Sequence, residues 1–260
     1  MKYWEKRIQR AQELAMAKSV KAAQTQFKKY YSSAMTKTLD EFEKTYNKIL
    51  LSIDEGKEPT PADLYKLDKY WQAQAQLRRE LEKLGDKQIS MLSKLFEANF
   101  FEVYYSIDIP KVEEPTFNTI DKAMVAQMVN SIWVADGKTW SDRVWDNTKR
   151  LQQTLNEELI HCLVTGKKTT ELKKLLQERF DVSYRRAETL VRTEIAHIQT
   201  EAAKQRYKDY GIDMVEVLVD PDHKTCDKCK ALIGKKFNIN DTPPLPVHPN
   251  ERCCLIPVVD

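Results

Sequence analysis

The sequence predicts a mainly α chain of the α+β class: a long N-terminal helical hairpin, a central helical region and a small C-terminal β module. Three observations carry this. Glycine is scarce, six in 260 residues, against about 7% in average usage, so helices run long between few stopping points. Apolar residues recur at intervals of three and four over most of the chain, as on the face of an amphipathic helix. Only after Gly211 does the pattern change to short β-type runs.

Residues 3–53 contain neither Gly nor Pro, and Phe27, Tyr31, Met35, Leu39, Phe42, Tyr46, Ile49 and Ile53 share one helical face. Gly56 is expected to end this helix. Thr60-Pro61-Ala62-Asp63 then offers an N-cap, an N1 proline and an early acid. The second helix carries Leu64, Leu67, Trp71, Leu81 and Leu84, is expected to be interrupted at Gly85, and continues through Ile89, Leu92, Phe96, Phe100 and Val103. Residues 1–106 therefore read as the hairpin. Residues 107–117, with Pro110 and Pro115, read as a linker, 118–211 as the central helical region and 212–260 as the β module. Helices are expected at 119–135, 139–165, 168–179 and 184–210, with Gly137, Gly166 and Gly211 as left-handed caps at helix ends. Met214 to Val219 reads as a strand, with Cys254 to Val259 as its partner.

Several function classes are excluded by pattern. There is no G-x-G-x-x-G or P-loop run. The longest uncharged stretch of the central region, Ala123 to Ala135, has 13 residues, short of the roughly 20 that span a bilayer, and no membrane partner is expected. MKYWEKRIQR at the N-terminus lacks an apolar signal core, which points to synthesis and folding in a cytosol. The net charge of +3 conceals residues 1–37, with nine Lys and Arg against Glu5 and Glu13. This arm, including Lys18, Lys21, Lys28 and Lys29, reads first as a solvated helix face. Its second reading is a contact surface for DNA or an acidic partner through counterion release.

Four of the five cysteines fall in the last 35 residues. Cys226 and Cys229 form a C-x-x-C knuckle; 18 residues separate Cys229 from His248, and four separate His248 from Cys253. Two thiolates on a tight turn fix half a tetrahedron, and a His/Cys pair from a distant loop closes it, which is the spacing of structural zinc. Cys254 and His223 stay open as alternative ligands; if Cys253 binds, Cys254 faces the core of its strand. A disulfide framework would need an oxidising compartment, and a thioredoxin-like motif leaves His248 unexplained. Metal would supply most of the folding energy of so small a module.

Glu158-x-x-His161 and Glu194-x-x-His197 repeat the Glu-x-x-His pattern of di-iron bundles. With 39 acids and four His in the chain, such pairs arise by chance, and they are read as incidental. No H-E-x-x-H or G-x-S-x-G constellation is present, so a binding or structural protein is expected rather than an enzyme.

Five segments, in order, carry a family resemblance: Trp133 to Arg143 (WVADGKTWSDR), Val191-Arg192-Thr193-Glu194, the Asp222 to Cys229 knuckle, the Leu232 to Phe237 turn, and Pro243-Pro244 leading to His248-Pro249-Asn250. Over residues 130–260 the chain resembles the phage Mu F-like minor head proteins, also described as head morphogenesis proteins. One departure is that the family reads Cys-Arg-Cys after His-Pro-Asn, where this chain has Glu251-Arg252-Cys253 and then Cys254. The resemblance implies a non-enzymatic minor component of a tailed-phage or prophage head, located in the virion at the head interior or portal and assembled in the bacterial cytoplasm. It implies the portal protein as partner, with capsid or scaffold proteins and double-stranded DNA as further candidates. The alternative is a zinc-module DNA-binding or packaging accessory protein. Some members carry a toxin domain after this module, and none is expected here because the chain ends soon after Pro257-Val258. Arg192, Thr193 and Glu194 read as structural: Arg192 and Glu194 point to different sides of a helix, each tying it to a separate neighbour.

Overall fold

The computed structural model describes residues 3–51, 59–110, 112–115, 119–219, 225–249 and 253–259. In chain order the elements are α1 (Tyr3–Leu50), α2 (Pro61–Tyr65), α3 (Asp68–Ser106), α4 (Lys122–Val129), α5 (Trp140–Val164), α6 (Thr169–Asp209), β1 (Met214–Leu218), α7 (Asp227–Lys230), β2 (Lys236–Asn238) and β3 (Cys254–Pro257). The mainly α class with a small C-terminal sheet is what the composition predicts. Among the described residues, no helix is long and apolar enough to cross a membrane.

Three local expectations are corrected. Thr60 caps α2 with the anticipated box, Asp63 N–H to Thr60 Oγ1 and Thr60 N–H to Asp63 Oδ2, but the break then comes at Lys66–Leu67, and α3 runs through Gly85 unbroken. The predicted gap at 180–183 does not exist: Phe180 and Ser183 are buried in step with Leu176 and Ala187, so the helical period is continuous through α6. The helix expected over 119–135 ends at Val129, where Asn130 caps it and frees Trp133 to enter a turn.

The chain forms two compact units, one of Met1–Ala23, Met91–Trp140 and Glu188–Asp260, the other of Gln24–Ser90 and Ser141–Ala187. In the second unit, Phe27, Phe42, Leu77, Leu81, Leu155, Leu159 and Phe180 fill a helical core. Three tyrosines embedded in it find polar partners, as buried hydroxyls must. Tyr31 donates to Ser183 O (3.3 Å) and accepts from Asn147, Tyr46 donates to Cys162 O (3.0 Å) and to Lys167 O, and Tyr70 donates to Asn156 Oδ1 (2.7 Å). Burial pushes the Tyr31 hydroxyl up to about 12.

In the first unit, Asn99 on α3 donates to Ala15 O and Ser19 Oγ on α1 (3.2 and 2.9 Å). The segment after α3, expected as a linker, has Ile107 and Ile109 buried and is held by Arg206, which donates to Ile107 O and Glu114 and lies over the rings of Tyr104 and Tyr210. Gly211 ends α6 at φ +71°. Its N–H reaches Lys208 O and that of Ile212 reaches Tyr207 O, both at 2.9 Å, a Schellman cap that needs the left-handed conformation glycine adopts without penalty. This reversal sends the chain directly into β1.

Candidate metal centre

The C-terminal module is built on β1. β2 and β3 flank it, both antiparallel, in the order β2-β1-β3. Met214↔Asn238 to Glu216↔Lys236 set the first register, and Val215↔Pro257 to Leu218↔Cys254 the second. Val215, Val217 and Leu255 are fully buried. Tyr207 on α6, buried as well, donates its hydroxyl to Leu255 O at 2.9 Å and so ties the sheet to the helix.

The turn after α7 returns to β1 through Gly234 N–H to Val217 O (3.1 Å) and Val217 N–H to Lys235 O (3.0 Å). This places the C-x-x-C knuckle at the end of β1. Cys226 is the N-cap of α7, its Sγ accepting from Cys229 N–H at 3.5 Å, and this bond chiefly holds its thiol below the ordinary value.

Cys226 Sγ lies 3.5 Å from Cys229 Sγ, and Cys229 Sγ lies 3.1 Å from His248 Nε2. All three donor atoms are within 4.8 Å of one another, the one group of three or more such donors among the described residues. An ion bound at ~2.0–2.3 Å needs donors about 3.3–3.8 Å apart along tetrahedral edges, so the cluster is close to the size a metal requires. His248 Nδ1 is 3.0 Å from the carbonyl of Pro249. A carbonyl only accepts, so this nitrogen carries the proton and Nε2 presents its lone pair to the thiols, the outer-shell arrangement typical of ligating histidines. The donor set and its tautomer fit a metal ion.

The other expected ligands lie as follows. Cys253, half-buried immediately before β3, is outside the group of three. Cys254 is buried in β3, where desolvation raises its thiol to about 12, so it sits in the core as a thiol. His223 lies outside the described residues. Of the two Glu-x-x-His pairs, Glu158 receives a two-pronged ion pair from Arg179 (2.9 and 2.6 Å), and His161 is exposed.

The second pair builds something that sequence reasoning missed. Glu194, 3% exposed, accepts the indole N–H of Trp133 at 2.9 Å. The same indole stacks on His197, with centroids 4.3 Å apart and planes 11° from parallel. His197 Nδ1 is 3.1 Å from Leu245 O. Arg192 points to the exposed side of α6 and Thr193 bonds back to Thr189 O. The WVADGKTW landmark and the Arg-Thr-Glu landmark therefore meet at one buried node, a contact across 61 residues that no local pattern signals.

Burial lowers the pKa of His197 from the usual 6.5, with Glu201 opposing and Lys204 adding to the effect. The unfolded chain thus binds a proton that the folded one resists. Stability is complete above pH 6.5 and falls as pH drops through and below it, by at most about 1.4 kcal/mol per pH unit. Urea titrations of the metal-loaded protein between pH 7.5 and 5.5 are expected to include this slope, and His197→Gln to lessen it.

Of the basic residues singled out on α1, Lys18 pairs with Glu102 at 2.9 Å. Lys21, Lys28 and Lys29 are exposed.

Fold and site together define a helical chain ending in a small sheet with a Cys/Cys/His cluster able to hold a metal. Residues 153–256, from within α5 to β3, match the family described as Phage Mu protein F like protein. Over 186 residues the chain is 23% identical to the NAD(+)--arginine ADP-ribosyltransferase EFV of Enterococcus faecalis (strain ATCC 700802 / V583). That match covers 65% of this chain and 38% of the relative, so the chain spans well under half of that protein's length. No solved structure matches.

Proposed function

We propose that the chain is a minor head protein acting in phage head morphogenesis at the portal, in which the C-terminal module is a structural zinc clasp. The observation that carries this reading is that the family region, 153–256, encloses all three clustered donors and the Trp133 partners Glu194 and His197 on α6. Two thiols and one imidazole suit zinc among the common divalent ions, and Cys253 is the proposed fourth ligand. Closed by four protein ligands, the ion would stabilise the fold and leave no open position for substrate. The acids of both Glu-x-x-His pairs are engaged with Arg179 and Trp133, which supports a non-enzymatic role. The transferase activity in the relative's name is assigned to that protein alone.

Folded protein is expected to be retained by assembled rings of its cognate portal. Clean passage over the portal, combined with salt-sensitive retention on duplex DNA, would replace this reading with the packaging-accessory one.

A further inference from the structure

We infer that His197 is a positioning residue for the metal centre: its hydrogen bond to the Leu245 carbonyl sets where His248 presents its ligating nitrogen. The inference rests on the proposed metal clasp and extends it to a residue outside the ligand set. Leu245 O can only accept, so Nδ1 of His197 is the donor. Stacking on Trp133, whose own plane is held by Glu194, fixes the plane of the ring, and of the two orientations within that plane only the one with Nδ1 toward Leu245 O makes the bond. His197 is 6% exposed, and among the described residues its buried Nε2 has no hydrogen-bond partner. One nitrogen therefore carries the entire polar function of a buried ring, and the unmade bond at the other is a cost that a purely apolar filler would avoid.

What the bond holds is a stiff segment. Pro243, Pro244, Pro246 and Pro249 lie within seven residues, and each fixes its own φ. Leu245 is 1% exposed and Pro246 is buried, whereas Val247 is exposed and His248 half-buried. The segment is thus anchored at Leu245 and presents His248 three residues later. A displacement at Leu245 passes down this chain to Nε2, which lies 3.1 Å from Cys229 Sγ and must stay within reach of the same ion.

The test is Co²⁺ and Zn²⁺ affinity of the full chain, measured by competition with a chromophoric chelator, for the unsubstituted protein, His197→Gln and His197→Asn. An Asn amide places its N–H where Nδ1 stands, whereas Gln places it where Nε2 stands. His197→Gln is expected to bind about 10-fold more weakly, the lower end for outer-shell changes, with the thiolate-to-cobalt band unchanged at saturation. His197→Asn is expected to recover most of the loss. Both variants lose the stacked ring, so a merely structural role would weaken both alike; that result, or equal affinity of all three proteins, overturns the inference while the clasp stands. An unsubstituted chain that takes no metal removes the clasp and the inference together. Without any variant, zinc addition is expected to shift the ring nitrogen resonances of His197 and leave those of exposed His161 unmoved; an unmoved His197 also overturns it.

Discussion

Stripping metal from the purified protein is expected to open the chain between Gly211 and Val259 to proteases, while α1, α3 and α5 keep their helicity. Cys226→Ala should do the same with zinc present. The physical reason is scale. β1, β2 and β3 have five, three and four residues, and strands this short are marginal without further support. Structural zinc in small finger peptides contributes about 10–16 kcal/mol at neutral pH, so even a fraction of that exceeds what the sheet holds in reserve. The module is nevertheless sewn to α6 by Tyr207 to Leu255 O and by His197 to Leu245 O. Fraying is therefore expected to reach the last turns of α6, which a break confined to residues after 211 would not show. Limited proteolysis with mass mapping, with and without chelator, reads both effects. Undiminished resistance of the C-terminal segment in chelator would refute the clasp.

The second large effect is expected at Gly85. In a helix interior, Gly→Ala ordinarily gains up to about 1 kcal/mol from backbone entropy. Here a Cβ would stand 2.6 Å from Cζ3 and 2.9 Å from Cη2 of Trp145. These are atoms of a rigid indole, not the loose end of a flexible chain, so the helices must separate or the ring must leave its place. Overpacking of this kind costs about 1–3 kcal/mol, and the sign of the ordinary substitution is reversed. Gly85→Ala should lower the melting temperature by several degrees, and Gly85→Val by more. A stabilised Gly85→Ala would show that Trp145 moves aside freely and that the glycine has no packing role.

Gly85 also shows where reading the chain residue by residue fails. A lone glycine in an apolar period signals a break when only local propensity is weighed, yet α3 passes through it because a second helix lays an indole there. The gap expected at 180–183 fails for the same reason: Asp181, Val182 and Ser183 are indifferent helix formers, and the burial of Phe180 and Ser183 overrides them. The capping box at Thr60 and the Schellman cap at Gly211 were legible, because each is settled by a few consecutive residues.

The site divides along the same line. Cys226 and Cys229 are joined by a knuckle that their spacing alone specifies, and His248 was recognisable from its distance along the chain. The Trp133, Glu194 and His197 node was not, since its partners come from a turn, a helix and a proline-rich loop that meet only by packing. By itself the sequence determined the helical class, the strand-forming C-terminal module and the donor types of its cluster, because periodicity, caps and thiol spacing act over a few residues. The tertiary structure alone decided that Cys254 is a core thiol, that Gly85 makes room for Trp145, and that α6 holds the loop bearing His248. Those outcomes depend on which surfaces exclude water together, and that is a property of contacts between segments distant in the chain.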